Sequence, residues 1–430
     1  MNIQSVRGTN DILPSEVEKW RFLEENARKI FSVFGFEEIR TPIFEHTELF
    51  VRSVGEVTDI VEKQMYIIPE KEGMGLALRP EATAPVVRAF LEHPTDRDRL
   101  SKLFYIGPMF RHERPQKGRL RQFHQVGVEA LGSYHPALEV EVLDLLRNYL
   151  RVLGLEDAHF KINSVGCRPC KTRYGEILKE SLRGQFSSLC PDCQRRFEKN
   201  ILRVLDCKNP NCQGVLDRIP LLPEVICQEC KNHFAQVTSL LKDTHLSFEL
   251  SPKLIRGLDY YTRTIFEVTH PHLGAQDAIA AGGRYDHLVE SMGGPAMGAA
   301  GFGMGMERLL LAASGLIDKK VVSHFPFLYL ASLGEEAFRA NFLLRQKLQA
   351  LEIPCEMDYD AKSFKSQFRR ANKLSTRYVL ICGEDELKKG MVKLKDMDQG
   401  LESEVNANEI VQFIRLKYEK NKSQKLEVRG

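Results

Sequence analysis

A basic hairpin within residues 104–132 constrains this chain more than any other segment of its sequence. Its flanks, Phe104–Ile106 and Phe123–Val128, are rich in aromatic and β-branched residues, whereas Pro115 and Gly118 interrupt the pattern between them. We therefore predict two antiparallel strands joined by a loop. The loop carries Arg111, His112, Arg114, Lys117, Arg119 and Arg121. A guanidinium is always charged and matches two phosphate oxygens, so the loop is predicted to bind phosphate, although a solvated loop tip has the same composition.

Two further motifs would suit a small substrate with an ammonium group and an aromatic ring. In residues 78–83 (LRPEAT), Glu81 and Thr83 place a carboxylate and a hydroxyl at a turn into a helix, which fits either an ammonium site or an ordinary helix start. In residues 255–268 (IRGLDYYTRTIFEV), Tyr260 and Tyr261 are either flat walls for an aromatic or heteroaromatic substrate or half-buried packing residues.

The third motif is glycine-rich and lies in residues 280–286 and 300–311. Its glycines permit close approach to a flat ligand, and Arg308 stands at the start of a predicted helix. Neither GxGxxG after a first strand nor GxxxxGK[ST] occurs here, so the usual dinucleotide and P-loop sites are not predicted.

These pieces, in this order, resemble the class II aminoacyl-tRNA synthetases, and in particular the histidyl-tRNA synthetase family. The matching segments are residues 6–14 (N-terminus), 34–45 (motif 1, which builds the dimer interface in that family), 104–132 (motif 2) and 301–311 (motif 3). Residues 256–261 and 282–285 resemble two elements particular to the histidine enzymes. Among other class II substrates, proline, threonine and glycine are the alternatives, and the paired tyrosines favour histidine.

The resemblance implies an α/β fold class with an α+β catalytic core, in which an antiparallel sheet is flanked by helices. The expected domains are a catalytic domain (1–165 and 247–320), a mostly helical insertion (166–246) and a C-terminal α/β anticodon-binding domain (325–420). Alternating strand and helix signals after residue 324 independently predict a parallel or mixed sheet there. A basic stripe on one predicted helix would face tRNA or only solvent: Lys362, Lys365, Arg369, Arg370 and Lys373.

The resemblance also implies a reaction. L-Histidine and ATP, accompanied by Mg²⁺, would give histidyl-adenylate and diphosphate, and histidine would then pass to the 3′ end of tRNA(His) with release of AMP. Arg111 and Arg256 would be catalytic and lie on opposite sides of the α-phosphate. Arg308 would bind the γ-phosphate, and Arg119 would also contact ATP. These fixed positive charges suit a reaction that accumulates negative charge.

For histidine itself, the resemblance assigns two groups of residues. Glu81, Thr83 and Gln125 would bind the α-ammonium, which has three donors. Glu129 and Tyr261 would address the two imidazole nitrogens, and Tyr260 would line the pocket. A pocket that bonds both nitrogens rejects amino acids that lack them, because its own buried polar groups would then be unpaired.

The cysteines are not explained by the resemblance. Eight of the ten are paired in sequence inside or at the edge of the insertion, with the spacing of tetrahedral thiolate sites: Cys167-x-x-Cys170, Cys190-x-x-Cys193, Cys207-x₄-Cys212 and Cys227-x-x-Cys230. We predict at least one structural Zn²⁺, held by four of Cys190, Cys193, Cys207, Cys212, Cys227 and Cys230. Cys167 and Cys170 are either packing residues or a second half-site.

Composition excludes little. Sixty-one basic and 58 acidic residues give a formal charge of +3, which neither favours nor opposes tRNA because nucleic-acid binding needs a local basic face. No run of eighteen apolar residues occurs and no signal-like segment opens the chain, so a soluble cytoplasmic protein without membrane contact is expected, as a homodimer. Two other function classes are a regulatory subunit of histidine biosynthesis that resembles this core and a zinc-dependent nucleic-acid-binding module.

Overall fold

The computed structural model describes residues 3–56, 58–70, 75–93, 100–274, 277–320, 326–360 and 363–429. The chain divides into two compact units, residues 1–317 and 318–430. Lys362 of the predicted basic stripe lies outside the described residues. Within the described residues, no helix is long and apolar enough to span a membrane.

The first unit is built on one large mixed sheet. Its strands and those of a smaller sheet are, in chain order, β1 (Glu37–Glu38), β2 (Phe44–His46), β3 (Tyr66–Ile68), β4 (Leu76–Leu78), β5 (Ser101–Phe110), β6 (Gln122–Leu131), β7 (His159–Ser164), β8 (Glu249–Leu250), β9 (Thr262–Thr269), β10 (Ala278–Arg284) and β11 (Ala299–Gly305). Among the described residues, eight strands form the large sheet in the order β1-β5-β6-β11-β10-β9-β7-β8. The β1–β5 and β7–β8 pairs are parallel and the other pairs antiparallel.

The predicted hairpin is confirmed as β5 and β6. Ser101 lies opposite Leu131 at the open end, and Phe110 lies opposite Gln122 beside the loop. On its other edge β6 pairs with β11, so the glycine-rich strand of the third motif lies beside the hairpin. The loop end of the hairpin and the carboxyl end of β11 thereby meet at one end of the sheet.

Helices cover this sheet because their apolar residues recur at helical spacing. The helices of the first unit and of the boundary are α1 (Pro14–Val33), α2 (Thr47–Val54), α3 (Thr83–Glu92), α4 (Ala137–Leu153), α5 (Arg168–Arg183), α6 (Pro191–Lys199), α7 (Pro210–Leu216), α8 (Leu222–Val225), α9 (Gln228–Asp243), α10 (Leu288–Ser291), α11 (Met306–Ala312) and α12 (Leu316–Lys320). Leu23, Ala27 and Phe31 form the buried face of α1, and Phe31 stacks edge-on against Phe104 of β5 and Tyr149 of α4.

The segment from α5 to α9 lies within the predicted insertion (166–246), and its helices pack on the large sheet. Its apolar side chains share one cluster of buried residues with Ile265 of β9 and Ala299 of β11. Helix α9 also lies against α4. The insertion is therefore fixed on the sheet beside the loop that precedes β9.

The second unit has the alternating pattern that the sequence predicts. Its elements are β12 (Leu328–Ser332), α13 (Glu335–Ala350), β13 (Cys355–Met357), α14 (Phe364–Lys373), β14 (Tyr378–Cys382), α15 (Glu384–Lys389), β15 (Met391–Asp396), β16 (Glu402–Asn406) and α16 (Ile410–Arg429). In the described part of this unit, five strands form a mixed sheet in the order β13-β12-β14-β15-β16. The predicted fold class is confirmed for both units.

Candidate active site

The loop end of the hairpin holds Arg111 in a fixed position. Its backbone N–H donates to the Arg121 carbonyl at 2.9 Å, and its side-chain Nε donates to the Pro80 carbonyl at 2.9 Å. The guanidinium lies over the Phe123 ring at 5.2 Å. Burial lowers the pKa of Arg111 from its usual value, but an arginine remains charged in proteins. The side chain is therefore a preorganised positive charge.

Two more arginines of the predicted set, Arg119 and Arg308, lie at the same hairpin loop. Arg308, at the start of α11, donates from Nε to the Gly118 carbonyl at 3.2 Å and from Nη1 to the Ala278 carbonyl. Burial and the positive charge of Arg119 lower the pKa of Arg308. Arg119 also disfavours the charge of Arg111 and pairs with Glu113 at 3.5 Å. Like charges gathered in this way favour an anionic ligand.

Arg256 belongs to the loop between β8 and β9. Its Nη1 donates to Glu267 Oε2 of β9 at 2.6 Å, and its buried Nε has no hydrogen-bond partner among the described residues. The negative charge of Glu267 also partly offsets the lowering of the Arg308 pKa, so Glu267 interacts with both guanidinium groups. The structure thus brings the four predicted arginines to one end of the sheet.

The predicted ammonium-binding residues form a second, buried group. The Glu81 carboxylate accepts from the backbone N–H of Thr83 at 2.8 Å and of Ala84 at 3.0 Å, so it caps helix α3. Thr83 Oγ1 donates to Glu129 Oε1 at 2.7 Å. The helix-start interpretation of this motif is confirmed, and each oxygen of Glu81 keeps a second lone pair available to a ligand donor.

Glu129 is the most deeply buried acid of the site, with 1% of its surface exposed. Its Oε2 accepts a hydrogen bond from the Tyr285 hydroxyl, and burial is the main cause that raises its pKa from 4.5 to about 8. A Cβ added at Gly301 on the neighbouring strand would overlap Glu129 Oε2 and the Val128 carbonyl oxygen. Glycine is thus required opposite this carboxylate.

Three tyrosine rings surround the acidic group. The rings of Tyr260 and Tyr261 lie 4.7 Å apart, and Tyr260 meets Tyr285 edge-on at 5.6 Å. Burial raises the pKa of Tyr261 to about 12, so its hydroxyl remains a neutral donor at physiological pH. Gln125 lies on β6, and its buried Oε1 accepts no hydrogen bond from the described residues. An unsatisfied buried acceptor indicates a place for a donor from a ligand.

Several functional contacts were missed by the sequence reasoning. In the sequence, Tyr285 stands out only as part of a family element, yet its hydroxyl donates to Glu129 Oε2. In the same element, Arg284 is fully buried between Glu139 and Asp286, so its role is to hold β10 in place. Glu307, just before Arg308, accepts the backbone N–H of His124 at 2.9 Å and ties α11 to the hairpin. For these contacts, the sequence offers only the spacing of charged residues in 282–286 (GGRYD) and 306–308 (MER) as a signal.

The insertion contacts the loop that carries Arg256 and the paired tyrosines. Arg203 donates to the Gly257 carbonyl at 3.2 Å, and Asn200 Nδ2 donates to Asp259 Oδ1 at 2.9 Å. Lys171 Nζ donates to the carbonyls of Asp259 at 2.8 Å and Tyr261 at 3.1 Å. The insertion is therefore part of the wall of the candidate site.

In the described part of the chain, eight cysteines form two groups whose Sγ atoms lie within 4.8 Å of one another in each group. The first group is Cys190, Cys193, Cys207 and Cys212, and the second is Cys167, Cys170, Cys227 and Cys230. The predicted set of six is thus divided, since Cys227 and Cys230 lie with Cys167 and Cys170. Cys167 and Cys170 thus complete the second group of four, as the half-site interpretation of this pair requires. All ten cysteines are free thiols.

Comparison with known proteins identifies the family. The histidyl-tRNA synthetase model matches residues 8–169 and 198–309, and an anticodon-binding domain model matches residues 328–417. The histidine–tRNA ligase of Syntrophotalea carbinolica is 47% identical over 415 residues, 96% of this chain and 98% of that protein. The ligase of the same name from Thermodesulfovibrio yellowstonii is 46% identical over 420 residues, 97% of this chain and 100% of that protein.

A solved structure gives the same answer in three dimensions. The apo histidyl-tRNA synthetase of S. aureus aligns with a TM-score of 0.79 at 32% identity, over 96% of this chain and 99% of that one. The arginine group, the buried acids and the tyrosine walls described above lie within the segments that the family model matches. This chain belongs to the histidyl-tRNA synthetase family.

Proposed function

We propose that this protein is a histidine–tRNA ligase: it activates L-histidine with ATP and transfers the histidyl group to tRNA(His). One observation supports the proposal most strongly. On the large sheet, a cationic end formed by the four arginines adjoins a buried pocket formed by Glu81, Glu129 and the tyrosines. Arg111 contacts both parts, because its Nε donates to the Pro80 carbonyl next to Glu81. The negative charge of Glu81 also partly offsets the lowering of the Arg111 pKa by burial. A ligand with a phosphate at one end and an amino acid at the other would fit this arrangement.

The cationic end would bind ATP. Arg111 and Arg256 would hold the α-phosphate from opposite sides, Arg308 the γ-phosphate, and Arg119 would contribute from the hairpin loop. Arg256 is paired with Glu267 in the free protein, so it would exchange part of that contact for phosphate oxygens. Mg²⁺ accompanies ATP as part of the substrate, bound by phosphate oxygens and water.

The buried pocket would bind histidine. Glu81, Thr83 and the unsatisfied Gln125 Oε1 offer acceptors for the three α-ammonium donors. Glu129 would accept from one imidazole nitrogen, and the Tyr261 hydroxyl would address the other, with Tyr260 as a wall. Substrates with an apolar side chain would offer neither the N–H donor for Glu129 nor the ring nitrogen for the Tyr261 hydroxyl, which is a strong basis for rejection.

The chemistry then needs positioning and charge more than a protein base. A carboxylate oxygen of histidine attacks the α-phosphorus, the bond to the β-phosphate oxygen breaks, and diphosphate leaves. A hydroxyl of the terminal ribose of tRNA next attacks the activated carbonyl, and AMP leaves with the bonding electrons. The arginines stabilise the negative charge that develops in the first step.

A regulatory subunit without ligase activity is the main alternative. Such a protein needs neither a phosphate-binding group nor an anticodon-binding domain. This chain keeps Arg111, Arg256 and Arg308 in one group together with Glu81, Glu129 and Tyr261, and its second unit matches an anticodon-binding model. The retained set supports the ligase.

The direct test of the proposal is aminoacylation of a tRNA(His) transcript. With histidine, ATP and Mg²⁺ we expect acid-precipitable histidyl-tRNA and one AMP per histidine transferred. A tRNA(Pro) transcript is the matched control. Histidine binding without any AMP formation would favour the regulatory alternative.

The second unit is proposed to bind the anticodon arm through α14. Lys365, Arg369, Arg370 and Lys373 are exposed on this helix. Changing Lys365 and Arg369 to alanine is expected to weaken tRNA(His) binding about tenfold at moderate salt and to lower the slope of its salt dependence, while histidine activation stays unchanged. The matched control is the double change of Arg339 and Lys347, which are exposed on α13. Equal affinity in both variants would remove α14 from the tRNA-binding surface.

We also infer a homodimer formed through the motif 1 region. Exposed apolar side chains gather on the small sheet of β2, β3 and β4, with Phe44, Ile67 and Ile68 each about half exposed. An apolar patch of this kind on a folded chain typically marks an interface. Sedimentation equilibrium should therefore give twice the chain mass, and a monomer at all concentrations would exclude the dimer.

The predicted structural Zn²⁺ is proposed at Cys190, Cys193, Cys207 and Cys212. Cys190 and Cys207 have their Sγ atoms 3.8 Å apart, close to the edge of about 3.8 Å for a tetrahedron with Zn–S bonds of about 2.3 Å. The Cys190 backbone N–H donates to Cys212 Sγ at 3.2 Å, which would stabilise a thiolate. The metal would hold α6, α7 and the turn between them, since four thiolates leave no open position.

A further inference from the structure

The second cysteine group lies where the insertion leaves and rejoins the core. Cys167 precedes helix α5 directly and Cys227 precedes helix α9 directly, while Cys170 and Cys230 lie in the first turns of these helices. Cys167 and Cys170 have their Sγ atoms 3.5 Å apart, too far for a disulfide bond and near the edge of a zinc-centred tetrahedron. All four Sγ atoms lie within 4.8 Å of one another, which leaves room for a single ion.

The backbone around these cysteines is arranged crosswise. The Cys167 N–H donates to Cys230 Sγ at 3.2 Å, and the Cys227 N–H donates to Cys170 Sγ at 3.1 Å. Gly166 has φ +70°, and a Cβ there would come within 3.0 Å of Ile226 and closer still to Cys170 Cβ. The two halves therefore approach too closely for any side chain at position 166, as expected where a shared ligand draws them together.

We propose that Cys167, Cys170, Cys227 and Cys230 bind a second Zn²⁺ and that this ion positions the histidine-binding loop of residues 256–263. Zinc is favoured because four thiolates in a closed tetrahedron are its usual structural site and because the ligase reaction needs no electron transfer. The zinc site itself stands independently of the proposed function, whereas its effect on histidine use rests on that function.

One half of this zinc site holds the loop through α5. Lys171 directly follows Cys170, and its Nζ donates to the carbonyls of Asp259 and Tyr261 at 2.8 and 3.1 Å. The backbone before Cys167 contributes as well, because the Gly166 carbonyl accepts the Arg263 N–H at 2.7 Å. A displaced start of α5 would therefore remove three hydrogen bonds from the loop.

The other half of the zinc site reaches the loop through a side chain. Glu229 lies between Cys227 and Cys230 and pairs with the Arg263 guanidinium, which also approaches Asp286 at 3.5 Å. Arg263 has φ +49°, a backbone conformation that is unfavourable for residues other than glycine. It therefore needs support from its neighbours. Both helices that begin at the zinc site thus converge on residues 259–263, next to Tyr260 and Tyr261.

Residues 170–197 fall outside the segments that the histidyl-tRNA synthetase model matches. They include Cys170, Cys190 and Cys193, one or more ligands of each proposed site. The two zinc sites are therefore features of this chain that the family match does not supply.

The first experiment is native mass spectrometry of the wild-type protein, purified without added metal, together with a thiol count after denaturation. We expect two zinc ions per chain and, after denaturation, ten free thiols per chain. Replacement by Co²⁺ should give the absorption of tetrahedral cobalt thiolates at both sites. One zinc or none, iron in place of zinc, or a disulfide within the second group would overturn the proposal.

Variants then test the positioning role. The double change Cys227→Ser and Cys230→Ser should leave one zinc and increase amide hydrogen exchange over residues 258–265 at least tenfold. Lys171→Met should keep both zinc ions and still increase amide hydrogen exchange over residues 258–265. Lys179 is an exposed lysine on the same helix, and Lys179→Met should change neither the zinc content nor this exchange. In Lys171→Met the KM for histidine should rise more than kcat falls.

The outcomes separate the two proposals. Unchanged loop exchange in Lys171→Met would overturn the positioning role even if both zinc ions are present. Two zinc ions in a protein that activates no amino acid would keep the metal site and remove the ligase. Wild-type mass and thiol counts decide the metal site even if the double serine variant does not fold.

Discussion

Arg256→Ala is expected to slow histidyl-adenylate formation by about 10³-fold or more while the protein remains folded. Its charge would act mainly in the transition state, where negative charge builds on the α-phosphate, and arginines that act in this way contribute about 10³- to 10⁵-fold. Folding should persist because, among the described residues, Arg256 forms an ion pair only with Glu267, whose side chain is 24% exposed and can be solvated once the partner is gone. Single-turnover measurement of diphosphate release, with circular dichroism of the same sample, checks both parts.

Two further variants sharpen this prediction. Arg256→Lys keeps a charge but loses the planar fork, so it should recover only part of the rate. Arg151→Ala removes an exposed arginine of α4 and should have no effect. If Arg256→Ala released diphosphate at the parental rate, Arg256 would be a structural partner of Glu267 and the assignment would fail.

Glu129→Gln should have opposite effects on histidine use and on stability. The Glu129 carboxyl group, with a pKa of about 8, can ionise when it accepts from an imidazole N–H, whereas the amide stays neutral and is the weaker acceptor, so we expect a drop of about 100-fold in kcat/KM for histidine. Without ligand, the variant should be more stable than the parent at high pH, because the amide removes the cost of ionising a buried carboxyl group. The amide can still accept from Thr83 and can donate to the Tyr285 oxygen.

The pH dependence follows from the sign of the shift. The pKa of Glu129 is raised from 4.5 to about 8, so between these values the folded protein binds a proton that the unfolded chain has lost. Stability contributed by this group is complete below pH 4.5 and falls as pH rises to about 8. The difference in denaturation midpoint between Glu129→Gln and the parent should therefore be larger at pH 9 than at pH 5.

A matched control for this variant is Glu156→Gln, an exposed acid after α4. It should change neither histidine use nor the pH dependence of the midpoint. Glu129→Gln with parental kcat/KM for histidine would remove Glu129 from the pocket. Equal midpoint differences at pH 5 and pH 9 would show that the carboxyl is ionised in the free protein.

Much of the architecture was predictable because it depends on local patterns. Alternating apolar residues define the hairpin, and apolar residues at helical spacing from Ala137 to Leu153 give α4. The alternation after residue 324 likewise depends on short segments, each with its own strand or helix signal. Such features need no knowledge of which segments meet in space.

The site was less predictable because its contacts join distant segments. Tyr285 bonds Glu129 across 156 positions, and Lys171 reaches Tyr261 across 90. The division of the cysteines has the same cause: Cys227 lies nearer in sequence to Cys212 than to Cys170, but the return of α9 to the sheet brings it to Cys170. Spacing predicts pairs of ligands, whereas only the fold determines which pairs share an ion.

The activation of histidine by ATP is tested most directly by amino-acid-dependent ATP–diphosphate exchange. The assay contains Mg²⁺, and the twenty amino acids are supplied singly. Adenylate formation requires the arginine group and the buried pocket at the same time. We expect exchange with histidine and with no other amino acid. Exchange with a different amino acid, or none at all from folded protein, would contradict it.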